Sequence, residues 1–423
     1  MVDPRANESR VDGPLRDVRI LDLTHVWAGP LATRILSDLG AQIVKIERPM
    51  ARGPRERVAA PIAGFIGGEP GPEPWNGNAA FVKLARNSQS LCLDLKATEG
   101  REIFLQLVEQ ADVVIENFSA RAMPSLKLDY PHLKAANPRI IYVTMPGYGT
   151  YGAYRDRVAF GPTVEMMSGL PNLMGYGPNE PRNTAMALMD PTSAVTATSA
   201  VMAALRRRRA LEAQDDVPTV TGTRVEQSLH EGGVSFSGPW LIEHQLGGNV
   251  ESMGNRHPAM APHGVFPCEG DDQWIAIACR DDGDWWSLAR VVPGLDANWS
   301  LAERVAKADV IEETIAAYTL LANKHVLTES LQRVGVPAGP VNTAPDMLDD
   351  AQAVSREFFV PLDKNTPMPG LPVKMAGLSS SEWSPSPALG ADNAAVLRDW
   401  LNMADDDIGR LSAQGLIFDK PPL

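Results

Sequence analysis

In AMALMDPTSAVTATSAVMAALRRRR, residues 185–209, Asp190 is the only acid, and the nearest charged side chains are Arg182 and Arg206. A lone carboxylate before a proline and a run of small residues can do one of two things. It can cap a helix, with Pro191 at the first helical position, where the missing N–H costs nothing. It can also serve as a nucleophile. The orphan amides and dipole of a helix start keep a carboxylate ionised, and an ionised carboxylate attacks an activated electrophile such as a thioester. Both readings put Asp190 at a helix N-terminus, and only the second gives it chemistry. The neighbouring Met166, Met167, Met186 and Met189 suit either core filling or an apolar acyl group.

Other chemistries lack their residues. The stretch THVWAGP, residues 24–30, has neither a GxGxxG fingerprint nor a P-loop lysine, which disfavours dinucleotides and nucleotide triphosphates. The histidines form no HxxxH or HExxH pair and the acids show no metal spacing, so no metal is expected. His25 and His257 read as structural hydrogen-bonding groups. No GxSxG elbow is present. The 3 cysteines, Cys92, Cys268 and Cys279, lack CxxC spacing, which argues against a disulfide framework and for a reducing cytoplasm.

The elements that would position these groups follow from periodicity. VRILDL reads as a strand, Pro30 fits the first turn of a helix, and Leu31, Ile35 and Leu39 follow at helical spacing up to Gly40. AQIVKI is then a second, parallel strand with a right-handed crossover. The Pro, Gly and Arg-rich residues 50–80 read as a surface excursion. SLCLDL is a strand, Thr98 a candidate cap for REIFLQLVEQA, DVVIENF a strand, 130–136 a short helix and RIIYVTM a further strand. Repeated β-α-β units predict an α/β fold: a Rossmann-like open parallel sheet with helices on both faces. In such sheets the turns at strand carboxyl ends bind ligands, which puts Trp27, Ala28 and Gly29 in a position to face one. From about residue 231 turns alternate with short strands, then a helix with paired tryptophans, and 301–334 is mainly helical. The expected organisation is a large domain over 14–230, a smaller α+β domain over 231–344, and a segment 345–423 that returns to the large domain.

The chain has 423 residues, 44% of them apolar and 22% charged, and a formal charge of −13. An acidic balance disfavours nucleic acid as a partner. No apolar run is long enough to span a bilayer. The N-terminal MVDPRANESRVDGPLRD lacks the apolar stretch of a secretory leader and reads as a short tail. Arg206–Arg209 reads as the solvated end of a helix, where cations suit the dipole.

Taken together, LRDVRILDLTHVWAGPLATRILSDLGAQIVKIERP, SLCLDLKATEGREIFLQLVEQADVVIENF, PRIIYVTMPGYG, MSGL, ALMDPTSAV, GNRHPAMAPHGVFPC and VGVPAGPVNT resemble the class III CoA-transferases, in family order over most of residues 14–415. The resemblance implies an enzyme that moves CoA from an acyl-CoA to a carboxylic acid, with Asp190 as nucleophile and an aspartyl-CoA thioester as intermediate. It implies a CoA thioester as substrate with no permanently bound cofactor, and an interlocked homodimer. Carried over position by position, Trp27 and Ala28 should lie along CoA and Arg48 should meet its phosphates. Leu93 and Lys96, with Asn117 and Phe118, should enclose the adenine end. Val158 to Gly161 should pass near the pantetheine and the reacting carbonyl.

Some positions depart from the family pattern. Trp27 replaces a glutamine of formyl-CoA transferase, which argues against formyl and oxalyl transfer. NRNKRS reads ARNSQS here, keeping Arg86 and losing two cations, and Ser125 stands where many relatives carry an arginine. Arg52, Arg55 or Arg121 are the candidate replacements. The usual GRGQ turn gives way to RRRRALEAQDDVPTVTGTRVEQ. The fold also hosts α-methylacyl-CoA racemases, but Phe160 stands where their histidine base would be and cannot move a proton. A non-catalytic subunit of a heteromeric enzyme is a further alternative, opposed by retention of Asp190.

Overall fold

The structure is a computed structural model, and it describes residues 11–52, 64–177, 180–214, 221–248, 250–361 and 366–422. The N-terminal tail up to Arg10, much of the 50–80 excursion, Arg55 and part of the stretch after Arg209 lie outside the described residues. The chain forms two compact units. One takes the chain up to Leu170, then Asn183–Leu241 and Phe358–Leu423, and the other takes Pro171–Arg182 and Ile242–Glu357.

The first unit is built on a six-stranded sheet. Its elements run β1 (Arg19–Asp22), α1 (Ala28–Asp38), β2 (Gln42–Glu47), α2 (Ala79–Leu84), β3 (Ser88–Cys92), α3 (Thr98–Gln110), β4 (Val113–Glu116), α4 (Ala122–Leu126), α5 (Tyr130–Ala136) and β5 (Ile141–Thr144). They continue with α6 (Gly161–Met167), the helical turn α7 (Leu170–Leu173), of which Leu170 alone belongs to this unit, α8 (Met189–Glu212), β6 (Thr223–Glu226) and α9 (Leu229–Phe236). Every strand pair is parallel and the order is β3-β2-β1-β4-β5-β6. The predicted strands all form. Thr98 does not cap α3: Ala97 holds that place, and the Thr98 hydroxyl accepts from Arg101 instead.

Each face of the sheet carries its own core. One packs Ile103, Phe104 and Leu107 of α3 with Val396, Leu397 and Trp400 from the C-terminal region against Leu21, Val44, Leu91 and Val114. The other packs Ala28, Ala32 and Leu36 of α1 and Ala194, Ala197, Val201 and Leu205 of α8 against Ile20, Ile43, Ile115 and Val143. The apolar positions of α8 recur at three- and four-residue steps, one buried stripe of a helix. Their small size lets α8 lie close along α1, and Thr198 reaches the Ala32 carbonyl at 3.4 Å. Gly40 ends α1 as expected, with φ of 101°, a conformation glycine tolerates.

Several cations of the sequence are structural. Arg86 is fully buried and grips Asp38 with two bonds of 2.8 and 2.5 Å, while its other nitrogen donates to the Pro369 carbonyl. Removing one partner of such a pair strands a buried charge, so Arg86→Ala is expected to destabilise the fold by about 3–5 kcal/mol in urea denaturation. Arg208 is buried too and donates to Asp112 at 2.6 Å, and Arg209 pairs with Asp17. The arginine run is thus half a solvated helix end, as read from sequence, and half an anchor onto the sheet.

The second unit has a three-stranded antiparallel sheet, His263–Pro267, Trp274–Ala278 and Ala338–Val341, with helices over 282–291, 301–306, 308–319 and 324–333. Its core centres on Phe266, Ile275, Ile277, Trp285, Leu288, Ile311 and Leu331.

Candidate active site

The order β3-β2-β1-β4 makes the crevice between β1 and β4 a topological switch point, where consecutive crossovers leave in opposite directions. Two loops meet there. Asn117, the first residue after β4, accepts from the His25 amide at 2.8 Å and donates to the His25 carbonyl at 2.8 Å. The His25 ring lies 5.2 Å from that of Phe118. Burial, reinforced by Lys45, pushes the imidazole down to about 4, so His25 is neutral at physiological pH and serves the turn.

Behind this turn, buried Asp22 accepts from the Thr24 amide (2.7 Å) and hydroxyl (2.6 Å), from Thr33 (2.8 Å) and from Lys45 (3.2 Å). The turn is tight. Val26 has φ of 67° with its side chain exposed, a costly conformation for a β-branched residue. A Cβ on Gly29 would come within 2.3 Å of the Thr24 side chain, so only glycine fits. The result presents the amide of Ala28, the first residue of α1, to the carboxylate of Asp190.

Asp190 is not the N-cap of its helix. Leu188 holds that position and Asp190 lies in the first turn of α8, with Pro191 following inside it. The side chain is therefore free to point across to α1. Its other neighbour is Gly161, at the start of α6: a Cβ built there would fall 1.9 Å from Oδ2 of Asp190 and 2.8 Å from the Ala187 Cβ. Glycine leaves the space the carboxylate occupies. Burial pushes the Asp190 carboxyl up to about 6, against the bond from the Ala28 amide that lowers it. The sequence predicted an acid held firmly ionised by helix-start amides. Instead one amide serves it, and desolvation outweighs that bond. The carboxylate remains ionised at neutral pH while being weakly solvated, which suits a nucleophile.

The other predicted residues take various stations along the carboxyl ends of the strands. Trp27 is half-buried, with the Lys83 ammonium 5.7 Å from its ring. Arg48, just past β2, and Lys96, beyond β3, are exposed and make no ion pair among the described residues. Val158 and Phe160 are exposed. Leu93 is different: its side chain is wholly buried in the core and its amide donates to Glu47, which leaves the side chain no access to a ligand. The candidate replacement cations are engaged elsewhere. Arg52 grips Glu47 with bonds of 2.8 and 2.7 Å, and Arg121 grips Asp156 with two bonds of 2.6 Å. Ser125 only bonds back to Ala122. Met189 is core, whereas Met166, Met167 and Met186 are exposed.

Sequence reasoning missed Glu165. It is the sole charged residue between Arg157 and Glu180, the same signature that singled out Asp190. It is fully buried in α6, four residues after Gly161.

Comparisons with known proteins identify the family. The chain is 28% identical over 97% of its length to the whole of a succinyl-CoA–D-citramalate CoA-transferase from Chloroflexus aurantiacus. It is 31% identical over 91% of its length to 96% of a succinyl-CoA:mesaconate CoA-transferase from Haloarcula hispanica. The crystal structure of a CaiB/BaiF family protein from Brucella suis, 27% identical, superposes with a TM-score of 0.80 over 92% of this chain and 99% of its own. Residues 15–393 match CoA-transferase family III, and the chain therefore belongs to that family and is a class III CoA-transferase.

Proposed function

We propose that Asp190 is the nucleophile of a reaction that passes CoA from an acyl-CoA to a carboxylic acid through an aspartyl-CoA thioester. One observation carries this reading: a desolvated carboxylate lies between the Ala28 amide and the bare backbone of Gly161, beside the switch point of the sheet. A carboxylate oxygen of Asp190 attacks the thioester carbonyl carbon, the C–S bond breaks, and a mixed anhydride and CoA thiolate result. The thiolate attacks the aspartyl carbonyl of the anhydride, the C–O bond breaks, and the donor acid leaves. The acceptor carboxylate then attacks the aspartyl thioester and expels the thiolate, which attacks the acceptor carbonyl of the second anhydride. Acyl-CoA forms and the Asp190 carboxylate returns, with no net proton taken up. Splitting one exchange into anhydride and thioester steps is covalent catalysis. The Ala28 amide that meets the carboxylate would also meet negative charge developing on its carbonyl oxygen.

CoA would run along the strand ends, past Trp27 and Ala28, Arg48, Lys96, Asn117 and Phe118, with Val158 to Gly161 near the reacting carbonyl. Arg48 and Lys96 carry the phosphate-binding part of the proposal, because Arg52, Arg86 and Arg121 are paired. Replacing either by Ala is expected to raise KM for acyl-CoA about 2–5-fold, the worth of an exposed charge contact, with kcat nearly unchanged. Steady-state kinetics with saturating acid acceptor checks this.

An interlocked homodimer fits the exposed apolar run of Phe236, Trp240, Leu241, Ile242 and Leu246. A cytoplasmic setting fits three free, buried cysteines, with burial pushing the Cys92 and Cys279 thiols up to about 12. The deciding experiment is mass spectrometry of protein quenched during turnover with an acyl-CoA: CoA mass on the peptide containing Asp190 supports the reading, and CoA on another peptide or on none defeats it.

A further inference from the structure

We propose that Glu165 is a positioning residue for CoA transfer: through Thr184 and Leu188 it fixes the chain that enters α8, and with it the place of the Asp190 carboxylate. The inference rests on the reading of Asp190 as nucleophile. Oε1 of Glu165 accepts from the Thr184 amide at 2.6 Å, and Oε2 accepts from the Thr184 hydroxyl at 2.8 Å and the Leu188 amide at 3.1 Å. Leu188 is the N-cap of α8, and the Asp190 amide donates to the Ala187 carbonyl at 3.0 Å. Between these bonds Ala187 adopts φ of 48°, a conformation a non-glycine residue keeps only where its surroundings enforce it.

Glu165 is fully buried, and no cation pairs with it among the described residues. A buried acid compensated only by hydrogen bonds is a poor device for stability alone. Its place on α6 gives the other half of the argument. Gly161 and Glu165 are one helical turn apart and so share a face. On that face the glycine makes room for the Asp190 carboxylate, and the glutamate holds the segment that delivers it. The Ala28 amide secures the carboxylate itself. The nucleophile is thus held by two independent ties, one from α1 and one from α6.

The test compares Glu165→Gln and Thr184→Val with the parent enzyme. Glutamine keeps the shape but presents an NH2 to one of two N–H donors, while Thr184→Val removes the hydroxyl's bond to Glu165 and the bond it accepts from the Leu188 amide, and keeps the bond from the Thr184 amide. Displacement of a reacting group by about 1 Å costs about 10²-fold. Glu165→Gln is therefore expected to lose about 10–100-fold in kcat, per molecule able to form the quenched CoA adduct, with KM for acyl-CoA within about twofold. Thr184→Val should lose less, in the same direction. The acid limb of the kcat/KM profile should move to higher pH, because the desolvation of Asp190 persists while its bond from the Ala28 amide weakens. Parental kcat and an unmoved acid limb in Glu165→Gln would overturn the proposal. So would a loss that tracks only the fraction of folded protein. Should Glu165→Gln fail to fold, Thr184→Val decides by the same two readouts. Asp190→Asn is assayed alongside: if it is inactive while the Glu165 and Thr184 variants are normal, only this inference fails, and if it is active, the reading beneath it fails.

Discussion

Asp190→Asn is expected to fold and to lose about 10⁴-fold or more in kcat, because no other group in the site could carry the acyl and CoA groups in turn. The amide replaces the carboxylate with nearly the same shape, so the loss should fall on kcat and spare acyl-CoA binding. Two further readouts separate this from damage to the fold. In the parent enzyme the nucleophile is needed ionised and titrates at about 6, so kcat/KM should fall about tenfold per pH unit below that value. Stability should respond in the opposite sense. Asp190 is easier to protonate in the folded protein than its ordinary value of 3.8 implies, so its ionised form costs folding free energy once pH rises above 3.8, and the full cost is reached above about 6. The gap corresponds to at most about 3 kcal/mol, which residual solvent access reduces to about 1–2 kcal/mol. Asp190→Asn should therefore be more stable than the parent at pH 8 and equal to it below pH 4, as measured by thermal or urea unfolding. An inactive variant that is the more stable protein at pH 8 identifies a site where stability has been given up for reactivity.

Gly161→Ala is expected to cost about 10²-fold in kcat, a large effect for one methyl group. The added Cβ would lie 1.9 Å from Oδ2 of Asp190 and 3.1 Å from its Cγ. No real atom tolerates that approach, so the carboxylate must move, and it moves away from the Ala28 amide or off its line toward a thioester carbon. The backbone of α6 cannot yield easily, since Glu165 one turn later is tied to Thr184 and Leu188. Gly409→Ala makes the control: nothing lies within 4 Å of its built Cβ, and a helical Gly-to-Ala change there should be neutral or stabilising by about 0.5–1 kcal/mol. Equal activity of the two alanine variants would remove the steric account of the site.

The sequence made the scaffold legible for physical reasons that are local. β-branched runs, turn glycines and three-to-four-residue spacing mark β1 to β5, α1 and α5 without reference to anything distant. Asp190 was legible because a single acid in 25 residues of mostly small and apolar type needs a reason. What stayed hidden depended on partners remote in the chain. Arg86 looked like a remnant phosphate ligand until Asp38 closed on it, and Arg52 until Glu47 did. Leu93 was a site residue by the family resemblance, yet just past β3 its side chain packs into the core. The capping role given to Asp190 failed because Leu188 begins the helix earlier, a difference of two residues that decides whether the carboxylate faces its own amides or those of α1. Glu165 carried the same mark of isolation as Asp190, but its meaning lay in amides 19 and 23 residues further on.

The alanine seam between α1 and α8 sets how finely the reacting oxygen is placed. A slide of one residue along α8 would translate Asp190 by about 1.5 Å and swing it through about 100°, out of reach of Ala28 altogether. The interlocking small side chains admit no such intermediate settings. The proposed nucleophile is in effect indexed, like a gear held by its teeth, while the exposed Val158, Phe160 and Met186 lie outside the buried seam. If Asp190 is the nucleophile and Val158 to Gly161 pass near the reacting carbonyl, as proposed, acyl preference could drift through such exposed positions, or be redesigned there, without detuning the reacting oxygen.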